Sequence, residues 1–558
     1  MSKFRLPVTQ VQPPVEQPLT EARITGGMNS YIDPADIPAP VGVLARNART
    51  SADYTSRAPG VEFVGETSLA GSSTLDSFIL DTEQLDTSSN SIIVYNNPDN
   101  NPVLMYTQYA RFDGTKTFLR FSPARIDRYT AGVPAEVTPT GSPLAGTAED
   151  GIRFVQTADA TRDYFIFANN GANVIQVLNT TVTTYGPLGN AGRYKYICAF
   201  FNRIVAANKV DATSPNPVLI AWSGDFNFTQ WNPATDISAG STPLVEAQSD
   251  YADPITGLFG FASVMLILRE RSLWTATKRP VASNPFAFQA AFPYVGCDTP
   301  SSATQTRNGI VWYDFRANQV YVYEVGGTPQ PIGDPIKNTL QAAISNKNLV
   351  WGSYDQVNNT YFLTVPSATS SLSRTFLYNF STGSWTYDDR ELAYGVYPVD
   401  GGAARQTYDQ LQGSYDQLQA GAVIYNNIGL LGETPPQNYI GYKDGRLSYE
   451  VNQDDKSEGF EWISKIYRTP SGDQMVSRLM LLYEGLRSGE FVVEYSKNGR
   501  PWETYKTVPI VPAEGRKRAY FTKLIRANEF QWRITCSTGD FKLLEYKILM
   551  SASEEDKI

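Results

Sequence analysis

From about residue 61 onward the chain is a succession of short apolar runs, each closed by a turn signal, and helical spacing is scarce. The runs include IIVYNN at 92–97, YFIFANNG at 164–171, RIVAANK at 203–209 and VMLILRERSLW at 264–274. They continue with IVWYDFRANQVYVYE at 310–324, TYFLTVP at 360–366 and TFLYNFSTGSW at 375–385. Runs this short, rich in β-branched and aromatic residues, are strands. The 310–324 run predicts a whole hairpin turning at Arg316, Ala317 and Asn318, and the last two runs read together as another. Most starts lie roughly 40 to 70 residues apart, which suits four-stranded propeller blades carrying insertions. One short helix is predicted near 336–344, where IKNTLQAAI repeats its apolar positions at helical spacing.

The two flanks differ from this body. Residues 1–60 carry Pro7, Pro13, Pro14, Pro18, Pro34, Pro38 and Pro40. Proline fixes φ and removes an amide donor, so the segment is predicted as an extended arm, neither helix nor interior strand. It should order where a neighbouring surface holds it. At the other end FEWISKIYR, SRLMLLYEG, GEFVVEYSKNGRPWETY, EFQWRITCS and FKLLEYKILM alternate strongly, which predicts a β-sandwich. Between body and sandwich, TYDQLQG at 407–413 is echoed by SYDQLQA at 414–420. Two copies are too few for a coiled coil and read as turns or a linker. The expected architecture is therefore all-β: an extended N-terminal arm (1–60), a β-propeller-like body (61–440) and a C-terminal β-sandwich (441–558).

Composition narrows the chemistry. The chain of 558 residues has no histidine, which removes Ser-His-Asp and Cys-His triads and histidine-containing zinc sites. Carboxylate-only glycosidase chemistry survives that filter. The densest acidic clusters, Asp388 with Asp389 and Asp454, Asp455 with Glu458, read as solvated turn charges, because sequence neighbours on a strand face opposite ways. Cys198, Cys297 and Cys536 sit in apolar, strand-like contexts and read as buried thiols. NNPDNN at 96–101 lacks the spaced ligands of a calcium loop and reads as a plain turn. Phosphate-cradling and dinucleotide motifs are absent. No catalytic residue, cofactor or metal is assigned. Three turns, SGDFNFTQW at 223–231, FSTGSW at 380–385 and YSKNGRPW at 495–502, end in tryptophans expected to pack back on their sheets. No apolar run is long enough to span a membrane, residues 1–21 lack the apolar core expected of a secretory leader, and the net charge of −9 disfavours gripping DNA by its phosphates.

Against this background the arm carries a resemblance. GGMNSYIDPADIPAP at 26–40, then Ala45-Arg46-Asn47, then Arg57-Ala58-Pro59-Gly60, resembles the opening of tail nozzle proteins of short-tailed bacteriophages. Similar features continue in order. They are the strand at 201–208, the Ala-Trp-Ser-Gly-Asp turn ending in Gln230-Trp231, the strand at 268–274, Gly296-Cys297, and the Asn-Gln-Val-Tyr-Val-Tyr hairpin closed by Pro331-Ile332-Gly333. The paired echo, with Tyr408 and Tyr415 where that family has tryptophan, and the Gly445 turn complete the series.

The resemblance implies a structural virion protein, made in the host cytoplasm, whose homohexameric ring sits below the portal and adaptor proteins, near tail fibres or spikes. Such a ring retains DNA and then lets it pass at ejection without specific binding. It also implies assembly contacts at Gly27, Asn29, Tyr31, Asp33, Pro34, Asn47, Arg57, Pro59 and Gly60. Six copies would carry a formal charge of −54, six times −9, and an acidic lumen repels DNA rather than binding it. The alternative is a glycan-binding or glycan-degrading propeller of a phage tail, which needs converging carboxylates in an aromatic cleft. A free-standing host propeller is the third reading.

Overall fold

The computed structural model describes residues 99–111, 115–130, 133–159, 162–245, 253–307, 309–366, 372–391, 393–399, 437–451, 459–468, 474–512 and 515–552. It also describes residues 28–29 and short strands at 18–23, 44–46, 48–50, 55–57, 60–63, 67–70, 85–86 and 91–94. Almost everything described is strand, and the one α-helix, Lys337–Ala343, lies where the helical spacing placed it. The chain divides into two compact units. One comprises 61–377 with 389–451, the other 1–60, 378–388 and 452–558.

The first unit is the propeller. Six blades are separate sheets whose innermost strands are Met105–Ala110, Ile152–Ala158, Tyr194–Phe200, Ile255–Gly260, Thr304–Gln305 and Ala393–Val399. A seventh innermost strand, Trp351–Asp355, starts a meander through Thr360–Val365 into a larger sheet. The blade begun by Ala393–Val399 continues through Gln437–Tyr442 and Leu447–Val451, so the expected boundary at 440 falls inside it. Its outer strand is Gly60–Phe63, from the other end of the chain. Pairing the first propeller strand with the last fastens the ring across a long stretch of sequence.

Packing explains why the apolar runs of this region are nearly unbroken. In Val264–Arg269, Met265 and Ile267 enter one interblade core while Leu266 and Leu268 enter the next. Both faces of such a strand are covered, so both parities must be apolar. Gly309–Asp314 and Thr360–Val365 are buried at every position for the same reason.

The predicted 310–324 hairpin is present as Gly309–Asp314 and Gln319–Glu324, with Asn318 at φ 45°. Its turn recurs. Tyr313-Asp314 precede Asn318, and Tyr354-Asp355 precede Asn359 at φ 50°. In each turn the aspartate carboxylate accepts backbone amides, Arg316 in one and Val357 and Asn358 in the other. The tyrosine hydroxyl meets the left-handed asparagine at 3.0 and 2.6 Å. Asparagine tolerates that conformation better than other side chains. The second predicted hairpin is present as well: Thr360–Val365 neighbours Leu372–Asn379 in the sheet, and the turn predicted at 380–385 leads into Ser384–Glu391.

The second unit holds the sandwich. Strands Gln474–Lys497 and Glu529–Ala552 pair antiparallel from Gln474↔Ala552 to Lys497↔Phe530, with register shifts crowded between Leu482 and Val492. Each strand folds over its own middle. Trp532 and Tyr546 have ring centroids 5.2 Å apart, whereas fourteen residues of straight strand span about 45 Å. Two glycines permit the bend: a Cβ on Gly489 would lie 2.4 Å from the Cα of Gly539, which itself has φ +83°. The halves enclose Trp462, Trp532, Tyr546 and Phe541, all essentially buried.

The described pieces of the arm belong to this unit. Pro18–Arg23 pairs with Glu529–Ala552, and proline at a strand's first position costs no ladder bond. Leu44–Arg46 has partners on both sides, Phe460–Ile463 and Tyr387. The expectation that the arm contributes no interior strand is thereby corrected. The physical reason is local: 44–46 and 48–50 contain no proline, so their amides are free to join ladders.

Candidate functional site

The seven innermost propeller strands line an open axial cavity of about 450 Å³. Every one of them contributes, from Thr107 and Arg153 through Cys198 and Phe259 to Gln305, Trp351 and Tyr397. The site is thus a product of blade closure, since no single blade holds more than a few of its wall residues. Among the described residues Arg153 is the sole charged side chain on the wall, and the wall has no aspartate or glutamate.

Arg153 extends from the second position of Ile152–Ala158 and is half-buried. One guanidinium nitrogen donates to the Pro300 carbonyl at 2.6 Å, and its carbon stands 5.6 Å from the Trp351 ring centroid. Burial lowers its pKa, partly offset by Tyr196 and Cys297, yet a guanidinium remains protonated in proteins. Those two neighbours are themselves neutral at pH 7. Burial pushes the Tyr196 hydroxyl well above its usual range and the Cys297 thiol up to about 12. The wall also carries Ser353 Oγ and Trp351 Nε1, buried polar atoms with no hydrogen-bond partner within the described protein.

The carboxylates singled out from sequence lie elsewhere. Asp388 takes two hydrogen bonds from Arg49, at 2.8 and 2.7 Å, within the second unit. Asp389 pairs with Arg374 at 3.0 Å within the propeller unit. Both sit in the strand Ser384–Glu391 and are arginine-paired, which corrects their reading as solvated turn charges. Asp454, Asp455 and Glu458 lie outside the described residues. Asp99 of the 96–101 loop binds Arg120, Ser122 and Asn101, completing a network in which fully buried Arg120 also holds Asp127. No trio of histidine, cysteine, aspartate or glutamate among the described residues could hold a metal.

Sequence reasoning missed one carboxylate pair. Burial, then hydrogen bonding and repulsion from Asp298, push Asp314 up to about 6. Burial also raises Asp298, but the hydrogen bond with Asp314 and the Lys347 ammonium at 3.2 Å hold it below its usual value. Asp298 accepts the Phe315 amide, and Asp314 is the hairpin aspartate described above. Both carboxylates are engaged within the fold, Asp298 by the Phe315 amide and Lys347 and Asp314 by its own turn, which makes them a structural pair rather than the spaced acid and nucleophile of a glycosidase. The Tyr-Asp-x-x-x-Asn signature of its turn was the available signal.

Of the assembly candidates, Asn29 lies beside Met28, whose amide donates to the Trp385 carbonyl at 2.8 Å. Arg57 ends the strand Thr55–Arg57 and Gly60 begins Gly60–Phe63. Gly27, Tyr31, Asp33, Pro34, Asn47 and Pro59 lie outside the described residues, as does the 407–420 echo. The three cysteines are buried thiols. Of the turn tryptophans, Trp385 is buried against Tyr378 and Trp231 stacks near Tyr194. Trp502 is only half-buried, under the Arg533 guanidinium.

No known protein family matches the chain, and no curated protein matches it. Solved structures align with it at low similarity. A family 43 arabinoxylan arabinofuranohydrolase from Bacillus subtilis is 9% identical over 82% of this chain and 98% of its own, with a TM-score of 0.25. A quinonprotein alcohol dehydrogenase-like protein from Bacteroides thetaiotaomicron is 10% identical over 51% of this chain and 66% of its own, at 0.29. A carbohydrate-binding module of Cellvibrio mixtus lichenase 5A is 15% identical over 22% of this chain and 82% of its own, at 0.14. Likeness at this level assigns no activity to the present chain.

Proposed function

We propose that this protein is a structural subunit of a short phage tail, a nozzle protein that assembles as a ring below the portal and adaptor and lines the exit path of the DNA. The observation that carries the reading is the ordered series of motifs from 26–60 to Gly445. A formal charge of −9 per copy favours a wall that DNA slides past.

The glycan-directed alternative keeps one specific observation in its favour, the aromatic side of the axial cavity formed by Phe154, Trp351 and Tyr354. Rings of this kind can stack on sugars. Cleavage, however, needs an acid and a base or nucleophile, and this wall offers neither carboxylate. The test is incorporation. Purified protein is mixed with tails lacking this component, and the tails are imaged for an added ring, while host surface polysaccharide is assayed for chain cleavage. An added ring without cleavage is the expected result. Cleavage by protein that ignores the tails would replace this reading with the glycan-directed one.

A further inference from the structure

We infer that the axial cavity of the propeller binds a small organic oxyanion, a carboxylate or phosphate head on a body of about monosaccharide size, with Arg153 as its counter-charge. Three features argue for it. The cavity, about 450 Å³, falls in the range that encloses small ligands. Among the described residues its wall carries one positive charge and no negative one, in a chain whose net charge is −9. A guanidinium presents five N–H donors, and one is spent on Pro300. The nearest titratable groups, Tyr196 and Cys297, give it no anionic partner at neutral pH. A half-buried cation without a counter-ion is costly unless solvent or a ligand supplies one.

The remaining wall chemistry fits the rest of such a ligand. Thr107 from one blade and Thr304 and Gln305 from another add hydroxyl and amide groups. Trp351 supplies an apolar face already oriented by the Arg153 guanidinium over its ring. The one carboxylate near this mouth, Asp355, is spent on its own turn, accepting from the Val357 amide and the Asn358 side chain at 2.8 and 2.7 Å. It does not line the cavity. The inference stands apart from the ring-assembly reading, because it concerns one propeller and needs no partner.

Full-length protein is titrated by calorimetry with inorganic phosphate, glucose 1-phosphate, glucuronate and neutral glucose at matched ionic strength. Glucose 1-phosphate or glucuronate should bind, inorganic phosphate should bind more weakly, and glucose should bind at least about tenfold more weakly than its charged analogues. The preferred charged sugar identifies the head as phosphate or carboxylate. Arg153→Met should weaken binding about tenfold or more, and Arg153→Lys should retain part of it. If Arg153→Met does not fold, the wild-type comparison of charged with neutral sugar decides the matter alone. Absence of binding by both charged sugars, equal binding of glucose, or full binding by Arg153→Met overturns the inference.

Discussion

The strand Val264–Arg269 in the propeller and the strand Gln474–Lys497 in the sandwich solve the same problem in opposite ways. The first is apolar at consecutive positions because it feeds two cores at once. The second alternates, with Phe491, Val493 and Tyr495 buried and Val492 and Glu494 between them partly exposed, because only one face is covered. A blade thus draws its burial from the blades on either side, whereas the sandwich draws it from folding two long strands over themselves. Damage should therefore spread through the propeller and stay local in the sandwich.

The largest effect is expected where the propeller commits a charge to its interior. Arg120→Met leaves Asp127 and Asp99 without their buried guanidinium, and should cost about 3–5 kcal/mol in chemical denaturation. Next come the two parities of one blade strand. Leu266→Ala and Ile267→Ala should each cost about 2–5 kcal/mol, since each empties a different core. A cheap substitution at either site would break the comparison. In the sandwich, Gly489→Ala forces a methyl against the Gly539 backbone and should cost about 1–3 kcal/mol. Calorimetry should show that loss in one transition only. Val492→Ala, on the partly exposed parity, should cost about 1 kcal/mol or less.

A pH series sharpens the same contrast, because the coupled carboxylates belong to the propeller. Asp314 has its folded pKa raised to about 6 from 3.8. The folded state therefore holds that proton more tightly, and the group's contribution is present below about pH 4 and lost as pH rises through 6. Asp298 works in the opposite sense, its lowered pKa giving stability that disappears as pH falls. Asp314→Asn should remove the decline between about pH 4 and 6 from the propeller transition and leave the sandwich transition unchanged. A decline of the same size in the variant would assign it to another group.

Much of the fold was legible in the sequence, and the failures have physical causes. Short apolar runs with turn signals gave the strands, and the 310–324 hairpin was readable because its turn residues are local. The alternating C-terminal segment gave the sandwich for the same reason. The strands at 44–50 were hidden by reading proline density over the whole arm, when only the residues in the ladder matter. The doubled strands at 474–497 and 529–552 were hidden because a bend between two glycines leaves the hydrophobic pattern on either side intact. The axial cavity was illegible in principle. Thr107, Arg153, Gln305 and Trp351 are brought together by ring closure alone, and no local pattern marks them. The paired aspartates at 298 and 314 could have been suspected from the repeated Tyr-Asp-x-x-x-Asn turn, but their mutual contact could not.

The most direct test of the central claim is the solution mass of the full-length protein by light scattering, alone and with the adaptor ring of a short phage tail. The account predicts a mass of six copies, either for the protein by itself or seated on that ring. A strict monomer under both conditions, with no association to the adaptor, would contradict it.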